Sequence, residues 1–138
     1  MLEIIIELLK KLRENFKPVI NVKVNKSEVL TMIEIWKNPG QTIKYYVNAV
    51  NLEYGSFTYL ADKLVKKGMI ERINMQDDKR EKTLKLTGKG LTLAKDIHKQ
   101  FTNHLSKQLG VLNSENFKEL NNVIQILDKI SKKLDGER

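Results

Sequence analysis

Leu2, Ile5, Leu9, Leu12 and Phe16 recur at alternating spacings of three and four residues. That is a heptad-like apolar stripe, and it predicts a first helix. Ile4, Ile6 and Leu8 widen the stripe, so this helix is expected to bury more than one side. Pro18 is expected to stop it, because proline lacks the N–H and clashes with the preceding turn. Residues 17–24 read as a connector in which Val19, Ile20, Val22 and Val24 could run extended.

Asn25-Lys26-Ser27-Glu28 reads as a capping box, with Asn25 capping the first turn and Glu28 reaching back. Val29, Leu30, Met32, Ile33 and Trp36 follow at helical spacing, and Asn38-Pro39-Gly40 ends this second helix. A third helix is expected over 43–50, and a fourth over 54–67 with Phe57, Leu60, Ala61 and Leu64 inward. Gly68 suits the left-handed position that closes it. The period then changes. Met69–Ile73 and Thr83–Leu86 alternate like strands, around a polar turn at 74–80. Thr87-Gly88-Lys89-Gly90 is expected to end the ribbon. A fifth helix over 91–109 carries Ala94, Ile97, Phe101 and Leu105 on one face, and Gly110 breaks it. Asn113 or Ser114 caps a sixth, whose apolar side runs from Phe117 through Leu120, Val123, Ile124, Leu127 and Ile130 to Leu134. Asp135–Arg138 read as a frayed end.

Three helices and a hairpin, centred on 25–90, are in the order of a winged helix-turn-helix. The expected fold is mainly α with a small β-wing. The whole of 1–138 is expected to be a single domain, since 16.0 kDa is too little for two.

Composition narrows the function. Lys and Arg number 25 against 17 acids, a net +8, which draws a small protein to a polyanion. The excess is uneven: residues 54–90 hold nine cations and five acids, half of the surplus. A solvated lysine-rich surface would share that count; its place on the fourth helix and ribbon favours nucleic acid. There is no Cys, which excludes disulfides and thiol chemistry. His98 and His104 lie six apart on one helix, roughly 240° around it, and cannot jointly hold a metal. No cofactor is expected. Neither a membrane span nor a cleavable leader is apparent, and a cytoplasmic location is expected.

The fourth helix leaves Tyr54, Gly55, Ser56, Thr58, Tyr59, Asp62 and Lys63 outward. Ser and Thr are small enough to approach a groove and can bond phosphates or base edges. Tyr54 and Tyr59 can reach phosphates or pack on thymine methyls. Lys79, Arg80 and Lys82 charge the ribbon, and an Arg at a ribbon tip suits a narrow minor groove. Asp78 can hold Arg80 or pin the turn.

Taken together, these stretches resemble the MarR family of bacterial transcription regulators. Thr42–Arg72, TIKYYVNAVNLEYGSFTYLADKLVKKGMIER, lines up without a gap against that family's helix, turn and recognition helix. Asp78-Lys79-Arg80 matches its Asp-x-Arg wing motif, and Leu86-Thr87-Gly88-Lys89-Gly90 its LT-x-x-G passage into the next helix. The resemblance covers nearly the whole chain. It implies a homodimer held by helices in 1–16 and 91–134, with two heads on a pseudo-palindromic site in double-stranded DNA. It implies a repressor, released in many members by a small aromatic effector; Phe16, Trp36, Tyr45, Tyr46 and Phe101 are the candidate lining, although each taken singly reads more readily as a core or interface residue. Three departures stand out. Glu53 occupies the turn position where the family commonly has Ser. Tyr59 replaces a frequent Arg or Lys. Tyr45 and Tyr46 replace a more usual polar-Leu pair.

The alternative is a winged-helix module that contacts protein instead of DNA. Glu53 and Asp62 favour it mildly, and Lys79 and Arg80 oppose it. An enzyme is not expected, because no phosphate loop, nucleophile elbow or metal cluster is present. Membrane-surface binding by the first helix is disfavoured, because its first two turns lack a cationic face.

Overall fold

A computed structural model describes residues 1–136. In chain order the elements are α1 (Leu2–Arg13), α2 (Lys26–Lys37), α3 (Ile43–Ala49), α4 (Tyr54–Lys66), β1 (Ile70–Asn74), β2 (Lys82–Leu86), α5 (Gly88–Leu109) and α6 (Ser114–Gly136). The fold is mainly helical with one two-stranded antiparallel wing. The chain divides into two compact units: Phe16–Thr102, and Met1–Asn15 together with the chain from Asn103 onward.

The core of the larger unit draws on every one of its elements. Met32 and Ile35 of α2, Tyr46 of α3, Phe57 and Leu64 of α4, Met69, Leu84 and Ala94 are all buried. Each large apolar side chain removed from water contributes about 1.5–3 kcal/mol. Asn25 caps α2 by accepting the Glu28 N–H at 2.8 Å. The other half of the expected capping box does not form. The Glu28 carboxylate is buried and takes the Lys67 ammonium at 2.6 Å. A buried charge needs a partner, and Lys67 stands at the C-terminal end of α4, where a cation is already favoured by the helix dipole. Tyr46 ties the turn before α3 together. Its hydroxyl donates to the Asn38 carbonyl at 2.6 Å and accepts the Gln41 N–H at 3.2 Å. Burial raises the pKa of this phenol, so it stays protonated and able to donate.

The join between α4, the wing and α5 accounts for the glycines and threonine of two motifs. α4 ends in a Schellman turn: the Gly68 N–H donates to Val65 O at 2.9 Å and the Met69 N–H to Leu64 O at 3.0 Å, with Gly68 at φ +71°. Thr87 caps α5, accepting the Gly90 N–H at 3.1 Å. The same hydroxyl donates to Gly68 O at 2.5 Å. The Lys89 ammonium donates to Lys67 O at 3.1 Å. Gly90 lies so close to the chain that a Cβ there would stand 2.0 Å from Met69 O. The expected α5 start at Leu91 is therefore corrected to Gly88: the segment read as the end of the ribbon forms the helix's first turn.

β1 and β2 pair from Ile70↔Leu86 to Asn74↔Lys82. Thr42, the cap of α3, bridges to Thr83, whose hydroxyl donates to Gln41 O at 2.5 Å. Residues 17–24 contribute no strand.

In the smaller unit, α1 ends at Arg13, ahead of Pro18. Asn15 at φ +62° turns the chain out, a conformation asparagine tolerates better than most residues. Phe16 is therefore not on α1, which corrects the expected 1–16 span. Asn113 caps α6 by accepting the Asn116 N–H at 2.8 Å. Asp135 and Gly136 are helical, while Glu137 and Arg138 of the expected frayed end lie outside the described residues. Neither α1 nor α6 contains a buried residue. Among the described residues no helix is long and apolar enough to cross a membrane.

Candidate nucleic-acid interface

α4 turns Phe57, Leu60, Ala61 and Leu64 inward. At about 100° per residue the ridge directly opposite is Gly55, Tyr59, Asp62 and Lys66. All four are exposed, as are Tyr54, Ser56 and Thr58, while Lys63 is half-buried. Tyr54 and Tyr59 stand 60% and 68% exposed, unusual for aromatic side chains that serve only a monomer's core. The Lys63 ammonium sits 5.3 Å from the Tyr59 ring centroid, a cation–π distance that holds the charge at the helix surface. The Thr58 hydroxyl donates to Tyr54 O at 3.0 Å, so toward an outside group it is an acceptor. Nothing lies within 4 Å of where a Gly55 Cβ would be, so the surface there is open.

The helix entrance is sparsely capped. Glu53 is the N-cap residue, and its side chain makes no capping bond. The α4 N-terminus thus keeps unsatisfied N–H groups beside a carboxylate instead of a Ser hydroxyl.

The wing tip is pinned by Asp78, which accepts the Arg80 backbone N–H at 2.9 Å and stands 3.7 Å from Arg80 Nε. The Arg80 side chain is 95% exposed, and Lys79 beside it is exposed too. Lys82 bonds Asn74 across the ribbon.

Away from the core, an ion pair also links the wing to α4. Arg72 of β1 donates to Asp62 of α4 at 2.6 Å, with both side chains partly exposed. Reading the sequence missed this pair and Lys66. The Lys66 position follows from carrying the helical spacing one turn further; the Asp62–Arg72 contact joins two elements and leaves no periodic trace. The structure also sorts the cations of 54–90. Lys67 belongs to the buried pair with Glu28, and Lys89 to the end of α4. Lys63, Lys66, Lys79, Arg80, Lys82 and Lys85 remain on the surface of the helix and ribbon.

The candidate aromatic lining separates into pairs. Phe16 and Phe101 meet edge to face at 5.0 Å. Trp36 packs against His98 at 5.1 Å, and Tyr45 against Tyr46 at 5.6 Å. Tyr46 is buried and committed to the α3 turn. A groove of about 400 Å³ in the larger unit is lined by other residues, including Val19, Val22, Met69, Lys89 and Leu93.

A sequence model described as the MarR family matches residues 24–82. An HTH-type transcriptional regulator of Clostridium symbiosum, BilQ, is 34% identical over 98 residues, covering 71% of this chain and 68% of that one. Wild-type MarR of E. coli in its apo form superposes with a TM-score of 0.69 at 20% identity, over 92% of this chain and 96% of that one. FabT of Streptococcus pneumoniae, solved in complex with DNA, does so with a TM-score of 0.63 at 24% identity, over 96% and 90%. At those identities the two solved structures speak for the fold alone.

Proposed function

Because this chain belongs to the MarR family of winged helix-turn-helix transcription regulators, which bind DNA and are not enzymes, we propose that it is a homodimeric repressor reading a pseudo-palindromic operator. The observation that carries this reading is the exposed ridge of α4 continued into the wing through Arg72 and Asp62. On that surface Tyr54, Gly55, Ser56, Thr58, Tyr59 and Lys63 face the major groove. Lys79 and Arg80 enter the flanking minor groove, with Asp78 shaping the tip and Lys82 on a phosphate.

The dimer is supported by what the single chain leaves uncovered. Leu2, Ile4, Ile6, Phe117, Ile126 and Leu134 are each more than half exposed on α1 and α6. Apolar faces of that extent mark interfaces. Residues 25–90 serve as the reading head, and the terminal helices as the dimer. Two heads then set half-sites about 34–36 Å apart, one turn of duplex. A small aromatic effector that prefers a different spacing of the heads releases the operator, and the half-buried rings of Phe16, Trp36 and Phe101 are the surfaces offered to it.

The test is selection from random duplexes of about 30 base pairs at physiological salt, wild type beside Arg80→Ala. Enrichment of an inverted repeat with half-sites one turn apart supports the proposal. Salt-sensitive binding without any enriched sequence overturns it, and points to the protein-interaction module that Glu53 and Asp62 would suit.

A further inference from the structure

An acid on the outermost ridge of a DNA-reading helix needs an explanation. Asp62 occupies that ridge with Gly55, Tyr59 and Lys66, about half exposed, and would face a polyphosphate with like charge. Its partner is equally out of place. Arg72 leads into the wing, partly exposed, where a guanidinium could fork onto a phosphate. Instead the two hold each other at 2.6 Å.

We propose that Asp62 is a specificity residue that reads no base: it occupies Arg72 and so withholds one cation from the DNA backbone. Phosphate contacts supply nearly all non-specific affinity, and each one adds the release of a condensed counterion. An arginine neutralised by a neighbouring carboxylate adds little of either. Binding to arbitrary duplex is thereby held down, while contacts to base edges along Gly55–Tyr59 are untouched. The ratio of operator to random binding rises, and that ratio governs occupancy in a genome of competing sites. The same contact fixes the angle between α4 and β1, so the helix and the wing present themselves together.

This inference rests on the DNA-reading surface proposed above, and the experiment separates the two. Affinity for one random-sequence duplex is measured across a salt series for wild type, Asp62→Asn, Asp62→Ala, the double variant Asp62→Asn with Arg72→Gln, and Arg80→Ala. Thermal unfolding of each variant shows that it is folded; two substitutions at Asp62 guard against a single poorly behaved one. In both Asp62 variants the freed Arg72 should steepen the slope of log affinity against log salt by about 0.9. Random-duplex binding at physiological salt should rise several-fold, with a smaller gain on a selected operator. The double variant Asp62→Asn with Arg72→Gln should return the slope to its wild-type value, whereas Arg80→Ala should flatten it.

If Asp62→Asn and Asp62→Ala bind as wild type does, the withheld-cation idea is wrong. It is equally overturned if the double variant keeps the steeper slope, because Arg72 would not be the released cation, or falls below the wild-type slope, because Arg72 would already be on a phosphate in the wild-type complex. Absence of salt-dependent duplex binding by the wild type would remove the DNA-reading surface, and this inference with it.

Discussion

Two single residues show how differently the sequence displays function and support. Gly55 costs the helix stability, because glycine gives up more backbone entropy than alanine on becoming helical. No packing requires it, since a Cβ there would meet nothing within 4 Å. Gly55→Ala should therefore raise unfolding stability by up to about 1 kcal/mol. If close approach to the groove floor is its purpose, the same change should weaken duplex binding about tenfold; calorimetric melting and a binding titration read the two effects. Glu28 is the converse case. The sequence shows an acid three residues after a cap, and a capping box is the local reading. Its actual partner, Lys67, is 39 residues away. Glu28→Ala leaves Lys67 without its carboxylate and opens a cavity beside α2. Urea denaturation should show a loss of about 2–3 kcal/mol, below the full cost for a buried pair because Lys67 keeps some access to water.

At the scale of elements, the apolar period announced every helix in order, and the change of period announced the wing. Boundaries depended on chemistry the period does not carry. α1 leaves its helical path at Asn15, whose left-handed backbone is a local choice, whereas proline was the louder signal. α5 starts early because Thr87 caps it through tertiary contacts with the end of α4, invisible to any local rule. The fourth helix allows a test of capping and charge together. Glu53→Ser should add a side-chain bond to a free N–H and gain about 0.5–1 kcal/mol. It also removes a carboxylate from the helix entrance, so duplex affinity should rise several-fold at low salt, with the gain shrinking as salt is added. A higher melting temperature with unchanged affinity would place Glu53 away from the DNA. In the wing, Arg80→Ala should lower affinity for duplexes with a narrow minor groove more than for others, as competition between A-tract and mixed-sequence probes would show.

The whole molecule turns on what its terminal helices cover. The exposed side chains of α1 were legible as an apolar stripe wider than one helix face needs, but a stripe does not say whether its cover comes from within the chain or from a second copy. Leu9 and its neighbours remain about half exposed or more in the single chain, which supports the second copy proposed above. Leu9→Lys sets a charge in the proposed interface, and sedimentation should show monomers at concentrations where wild type is dimeric. Operator binding should lose its cooperativity while the isolated head still binds random duplex. A Leu9→Lys protein that remains a dimer would place the interface elsewhere. The net +8 also reads differently at this scale. Lys67 is taken up by the buried Glu28 carboxylate and the exposed Lys89 by a main-chain carbonyl, while other cations on α4 and the ribbon face outward.

The contact between Gly90 and the Met69 carbonyl works as a hinge pin with no play. A Cβ would stand 2.0 Å from that oxygen, so the first turn of α5 and the root of the wing touch backbone to backbone, with no side chain between them to yield. Thr87 and Lys89 rivet the same joint to Gly68 and Lys67. The first turn of α5, the root of the wing and the C-terminal end of α4 are thus tied together through main-chain atoms. Under the operator-binding proposal made above, the expected mode of release is a swing of the head that leaves α4 and the wing in their mutual arrangement.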